Sequence, residues 1–191
     1  MPGFKRPSKA ELAAAAGRQL PDVLRPDLDV VFCGINPGLY SAATGHHFAR
    51  PGNRFWPALH AGGFTGRLLR PDEDHLLPDW GSGLTNLVAR ATAGAAELSK
   101  AELIEGLSVL EEKIRTFHPR WLAVLGIGAF RTAFQRPRAG LGRQEGGFAG
   151  ARVWVLPNPS GLNAHHQPEH LAAAFRALRR ATVSGFGGTS R

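Results

Sequence analysis

Two asparagine–proline turns, far apart in the chain, gather the side chains best suited to chemistry. Ile35-Asn36-Pro37-Gly38 follows one apolar run, and Asn158-Pro159-Ser160-Gly161 follows another. An asparagine amide has no usable proton affinity near neutral pH, so chemistry at such a turn rests on placed hydrogen bonds rather than proton transfer. Asparagine also supports turns with no further role, and for Asn36 taken alone both readings stand. Between the turns lie His46-His47, Phe48 and Asn86. No third His, Cys or carboxylate stands at convincing spacing to complete a metal site with the histidines. A lone aromatic such as Phe48 is by default a core side chain. Cys33 is the one cysteine, which excludes an internal disulfide framework and a cysteine-held iron–sulfur cluster. Gly126-Ile127-Gly128 supplies the first two glycines of a dinucleotide fingerprint, but Arg131 stands where the third belongs.

The elements that must position these residues alternate between strand and helix. Val30-Val31-Phe32-Cys33-Gly34-Ile35 is a continuous apolar run, the pattern of a strand buried on both faces. Trp121-Leu122-Ala123-Val124-Leu125 and Val153-Trp154-Val155-Leu156 read the same way, and Thr85-Asn86-Leu87-Val88 is a shorter candidate. Ser8-Lys9-Ala10-Glu11 and Ser99-Lys100-Ala101-Glu102 are capping boxes. The first opens an alanine-rich helix expected to end near Leu20-Pro21; the second opens a helix expected to reach Phe117. Asn53 is placed to cap a helix through Phe55, Trp56 and Leu59, and a last helix is expected over residues 168–182. Residues 41–52 read as a long loop, and residues 139–150 as a glycine-rich loop or hairpin. Strands alternating with helices imply an α/β fold: a three-layer α/β/α sandwich on a short, mainly parallel sheet. Ligands of such sheets bind outside the carboxyl ends of the strands, which places the site between the two Asn-Pro turns. The expected organisation is a basic N-terminal extension with a helix over 1–27, one domain over 28–183 and a flexible tail over 184–191.

The chain of 191 residues carries 23 Lys and Arg against 15 Asp and Glu, a formal charge of +8. Such an excess points to a polyanionic partner, nucleic acid first among them, although arginine-rich composition also arises without one. No apolar run approaches the ~20 residues that span a bilayer, and no signal-peptide pattern follows the basic start. A cytoplasmic, monomeric protein is expected, nucleoid-associated in a bacterium, with no membrane partner.

Gly34-Ile35-Asn36-Pro37-Gly38, Gly45-His46-His47-Phe48, Asn53-Arg54-Phe55-Trp56 and Asn158-Pro159-Ser160-Gly161-Leu162 stand in an order and spacing that resembles the mismatch-specific uracil-DNA glycosylase family, which includes the thymine-DNA glycosylases. The segment from Gly83 through Asn86 to Ser99 is similar too, and the resemblance covers about residues 28–182. It implies the fold of that family, a monofunctional glycosylase acting on double-stranded DNA with uracil mismatches, no cofactor and no metal. Asn36 matches the catalytic asparagine, which holds a water molecule beneath the sugar C1′. Ile35, Gly38, Ser41, Phe48, Asn86 and Asn158 match the base pocket, with Phe48 stacking on the flipped base. The resemblance also brings His47 near the base or an adjacent phosphate, through a hydrogen bond or a positive charge. Ser160, Gly161, Leu162 and Asn163 match the loop that enters the duplex, Leu162 as the wedge and its neighbours facing the opposite strand.

Several positions depart from the family pattern. Asn163-Ala164-His165-His166 stands where an arginine often follows the wedge, which bears on the base preferred opposite. Asn86 agrees with the thymine-specific branch, whereas some bacterial relatives carry lysine. The Ser41 hydroxyl would crowd a thymine methyl, so thymine is expected to be processed poorly. The 91–94 loop offers no acid or base apart from the Thr92 hydroxyl. Two other classes remain as alternatives: a lesion-binding DNA protein without catalysis, and a Rossmann-like nucleotide-binding domain.

Overall fold

Apolar residues that alternate between two faces of one sheet build this fold. In the strand β1 (Val30–Gly34), Val30 and Phe32 join one core cluster while Val31 and Cys33 join a second. The strand β3 (Trp121–Leu125) divides in the same way, Trp121, Ala123 and Leu125 to the first cluster and Leu122 and Val124 to the second. A strand that feeds both clusters must be apolar throughout, which explains the continuous runs in the sequence. The computed structural model describes residues 6–161 and 167–184.

The sheet has five strands in the order β2-β1-β3-β5-β4. Strand β2 (Ser82–Asn86) runs parallel to β1, β1 to β3, and β3 to β5 (Ala151–Leu156). Strand β4 (Gly142–Phe148) closes the edge as the antiparallel partner of β5, with a register shift between Arg143 and Gly147. The glycine-rich stretch is therefore a hairpin. Its glycines supply the positive φ of Gly142, Gly146 and Gly150 at turn and bulge positions.

Helices cover both faces. On one side α3 (Phe55–Ala61) and α6 (Pro168–Ser184) pack through Phe55, Leu59, Leu171 and Phe175 onto Phe32. Phe32 meets Phe55 edge-on at 5.5 Å and stacks on Phe175 at 5.7 Å. Each phenylalanine buried there contributes about 1.5–3 kcal/mol. On the other side α4 (Lys100–Phe117) and α5 (Ile127–Ala133) bury Leu110, Ile114 and Phe130. The three-layer α/β/α sandwich is as expected from the sequence.

Both capping boxes form: Ser8 caps α1 (Lys9–Ala14) and Ser99 caps α4. Helix α1 is shorter than its alanine content suggests, because the chain turns at Gly17 with φ of 75°. The beginning of the expected 41–52 loop is instead the helix α2 (Leu39–Thr44). A 3-10 stretch (Pro71–Trp80) had no sequence counterpart.

The described part of the N-terminal segment is not a separate extension. Ala15 is fully buried, Gly17 N–H donates to the Ala91 carbonyl, and Ala91 N–H donates to the Arg18 carbonyl. Val23 and Leu84 exchange both backbone hydrogen bonds at 2.9 and 2.8 Å. Asp22 anchors the segment further, through Lys113 of α4 at 2.7 Å and the buried Thr85 hydroxyl at 2.7 Å. The described residues before the boundary expected at 27 are thus tied to β2, to the 90–92 segment and to α4. Residues 185–191 of the expected tail lie outside the described residues, and Ser184 belongs to α6.

Candidate active site

The parallel register brings β1 and β2 to an end together, Gly34 opposite Asn86, and the chain turns at Asn36 just beyond. The Asn36 amide is held by the segment that follows β2. Its Nδ2 donates to the Arg90 carbonyl at 3.0 Å and to the Thr92 hydroxyl at 2.7 Å. A carbonyl can only accept, so the amide orientation is decided: both N–H groups point at the 90–92 segment. The Thr92 hydroxyl donates its own hydrogen to the Gly94 carbonyl at 2.9 Å, which leaves its oxygen to receive Asn36. Oδ1 of Asn36 remains as the acceptor. The segment is in turn stitched to the turn, Thr92 N–H donating to the Pro37 carbonyl and Leu39 N–H to the Thr92 carbonyl. Arg90 is fixed from outside by Glu102 of α4, Nε to Oε1 at 2.5 Å. That guanidinium, with the Ser99 donors, pulls the Glu102 carboxyl down to about 2.

Asn36 opens onto a pocket of about 340 Å³, within the range of about 300–1,000 Å³ usual for small-ligand sites. Ile35, Gly38, Ser41, His47, Phe48, Asn86, Asn158 and Ser160 line it with Asn36, so the sequence motifs converge on one cavity. Phe48 stacks on Phe55 at 4.0 Å with an interplanar angle of 21° while it lines the pocket. The core and pocket readings of this ring therefore hold together. Its backbone sits at φ of 53°, an arrangement uncommon for an aromatic residue that the surrounding packing must impose. Asn86 is 7% exposed. A Cβ on Gly34 would meet its Oδ1 at 2.6 Å, so only glycine lets the amide lie against β1. Ser41 is less available than its position suggested, because its hydroxyl accepts the Ala49 N–H at 3.1 Å. The Ile35 carbonyl accepts the Val88 N–H, which leaves that carbonyl partly engaged in the fold.

His47 is 2% exposed and donates from Nε2 to the Pro21 carbonyl at 2.9 Å. Burial pushes its pKa below 6.5, outweighing the Pro21 hydrogen bond and Asp74. A neutral imidazole in the pocket wall is what this environment holds, rather than the phosphate-facing cation that the sequence allowed. The doublet is anchored by the buried Asp74, which accepts the His47 backbone N–H at 3.0 Å and meets His46 Nδ1 at 3.2 Å. Leu20, from the N-terminal segment, joins the same wall. Sequence reasoning missed both Leu20 and Asp74: neither belongs to a motif, and their roles depend on contacts far along the chain.

Across the pocket, Asn158 Oδ1 accepts the Ser160 N–H at 2.9 Å, an Asx-turn that shapes the 157–161 loop. Arg54 ties that loop to the opposite rim, its backbone N–H donating to the Pro159 carbonyl and its Nη2 to the Ser160 carbonyl at 2.8 Å. Gly161 lies too close to the Gly52 carbonyl to admit a Cβ. Leu162 and Asn163, expected as the wedge and an opposite-strand contact, lie outside the described residues, as do His165 and His166.

Among the described lining residues there is no aspartate, glutamate or lysine. Burial pushes the Cys33 thiol up to about 12, so it offers no nucleophile. Among the described residues no group of three or more His, Cys, Asp or Glu side chains could hold a metal ion. No described helix is long and apolar enough to cross a membrane. What the site presents is an oriented amide oxygen, an aromatic wall and a second buried amide, at the carboxyl ends of a parallel sheet.

These features define an α/β protein whose pocket, with no carboxylate or lysine among its described lining residues, can position water and a flat heterocycle without an acid–base pair. The sequence model of the Uracil DNA glycosylase superfamily matches residues 21–179, and the chain belongs to that superfamily. Among solved structures, a candidate uracil DNA glycosylase from Methanosarcina acetivorans, determined by solution NMR, is similar in fold. It shares 19% identity at a TM-score of 0.52, with 85% of this chain and 98% of that one covered.

Proposed function

We propose that this protein is a monofunctional DNA glycosylase that extrudes uracil from mismatched double-stranded DNA and hydrolyses its N-glycosidic bond, leaving an abasic site. The observation that carries the reading is the Asn36 amide, whose two N–H groups are committed to Arg90 and Thr92 so that Oδ1 is left to accept. A water donating one hydrogen to that oxygen directs a lone pair at C1′ of a nucleotide in the pocket. The bond from C1′ to N1 breaks first, its electron pair leaving with the base, and C1′ becomes oxocarbenium-like. The water oxygen then bonds to C1′ and its proton passes to the uracil anion or to solvent. Such a carbon needs little help from a base, which suits a pocket without a carboxylate.

Phe48 supplies the stacking wall, a contact worth about 1–3 kcal/mol per base, and Asn86 an amide for the uracil edge. Leu162 is the wedge of the proposal, filling the stack behind the extruded nucleotide. The arrangement of motifs supports the mismatch-specific branch, the enzyme working as a monomer. A panel of uracil, thymine and modified pyrimidines opposite each base, in single and double strands, tests the reading. Release of uracil from mismatched duplexes is the expected result, with thymine slow. Binding without release of any base would leave a lesion-binding protein instead.

A further inference from the structure

Arg50 is the one permanently charged side chain among the described residues that line the pocket, and it is exposed at the rim. Its carbonyl accepts the Asn53 N–H at 2.9 Å, closing a turn with Pro51 and Gly52 at the centre and Gly52 at φ of 82°. These are the residues and the positive φ of a type II turn, in which proline restricts the first central residue and glycine permits the second. The turn is anchored on both sides. Ala49 N–H donates to Ser41, and Arg54 is bonded to the Pro159 and Ser160 carbonyls. Gly52 is seated against Gly161. The other arginines near the site are engaged: Arg90 by Glu102, and Arg54 by the 159–160 carbonyls. No carboxylate among the described residues forms an ion pair with Arg50.

A rigid turn that holds an uncompensated guanidinium over a neutral pocket has the form of an anion site. Because Arg50 is on the rim and the neutral heterocycle wall lies deeper, the anion is one that stays outside while a base enters. We propose that Arg50 binds a backbone phosphate next to the extruded nucleotide, a contact that fixes the strand as the base turns into the pocket. The proposal rests on the glycosylase reading for the identity of the strand. Its chemistry is that of a guanidinium fork on phosphate oxygens.

The test compares wild type, Arg50→Gln and Arg50→Lys on a duplex with one 2′-fluoro-2′-deoxyuridine, whose fluorine opposes oxocarbenium formation and keeps the substrate intact. Affinity is measured over a salt series, and again with single neutral methylphosphonates at each linkage around the lesion. Arg50→Gln is expected to weaken binding roughly tenfold and to flatten the slope of log K against log salt by about 0.9, with Arg50→Lys between it and wild type. One methylphosphonate should weaken wild type by a similar factor and leave Arg50→Gln unmoved. Unchanged affinity and slope in Arg50→Gln, or methylphosphonates that weaken both proteins equally at every position, would overturn the proposal. Uracil release by wild type from the unfluorinated duplex is read in parallel. Its failure removes the glycosylase reading, whereas the Arg50→Gln affinity and salt slope and the methylphosphonate comparison decide the phosphate contact.

Discussion

At the scale of single residues the account turns on a side chain that performs no proton transfer and must be aimed. Thr92 is its positioning residue: it accepts from Asn36 at 2.7 Å only because its own hydrogen is spent on Gly94. Thr92→Val keeps the shape and removes the acceptor, leaving a part-buried N–H of Asn36 without that partner, a loss of about 1 kcal/mol or more. The release rate of the saturated complex should fall about tenfold or more, with DNA affinity little changed and Thr92→Ser restoring most of the rate. A loss that Thr92→Ser does not restore would assign Thr92 to packing alone. Asn36, Asn86 and Asn158 were legible in the sequence because each sits in a motif at a strand end, and Phe48 because it closes the Gly45-His46-His47-Phe48 motif after α2. Thr92 was visible only as a hydroxyl, since its partner lies 56 residues away. His47 was legible as a site residue but not as a neutral one, because burial is a property of the folded chain. That burial makes a prediction of its own. The unfolded imidazole takes a proton near pH 6.5 while the folded one resists, so its share of stability is complete above that pH and declines as pH falls below it. In thermal melts from pH 7.5 to 5, His47→Gln should lose less of its melting temperature than wild type does. Parallel declines would place the acid sensitivity elsewhere.

At the scale of elements, the strand ends and the N-terminus of α4 cooperate. The capping box that starts α4 carries the Glu102 that grips Arg90, whose carbonyl grips Asn36. The pair is partly exposed, and exposed pairs contribute about 0–1 kcal/mol. Glu102→Gln, which retains the capping geometry, should therefore slow uracil release by no more than about fivefold, more at low salt than at high, and barely move the melting temperature. A hundredfold loss would mean that the ion pair does more than steady the 90–92 segment. Strands β1, β3 and β5 and the starts of α1 and α4 could be read in advance because apolar runs and Ser-x-x-Glu boxes are local signals, whereas β2 lies at Ser82–Asn86 rather than over the expected 85–88. Helix α2 and the 3-10 stretch could not: the first is six residues without a side-chain cap, and the second holds an internal Pro78 and owes its place to tertiary contacts.

At the scale of the whole molecule, the sheet brings four parts of the chain to one mouth, and the N-terminal segment closes one wall. Leu20 and the Pro21 carbonyl touch the site, and the Asp22–Lys113 pair ties that wall to α4. A chain shortened to begin at residue 24 should melt several degrees lower and release uracil poorly; equal stability and activity would mean that this segment does not support the site. By composition the segment reads as a basic arm, while its backbone pairing with residues 84–91 is invisible to composition.

The most direct test of the central claim is single-turnover release of uracil from a mismatched duplex by Asn36→Ala, with DNA affinity measured on the same preparation. The account predicts that release falls at least about a hundredfold while affinity stays within a few-fold of wild type. Release near the wild-type rate, or equal losses of release and affinity, would contradict it.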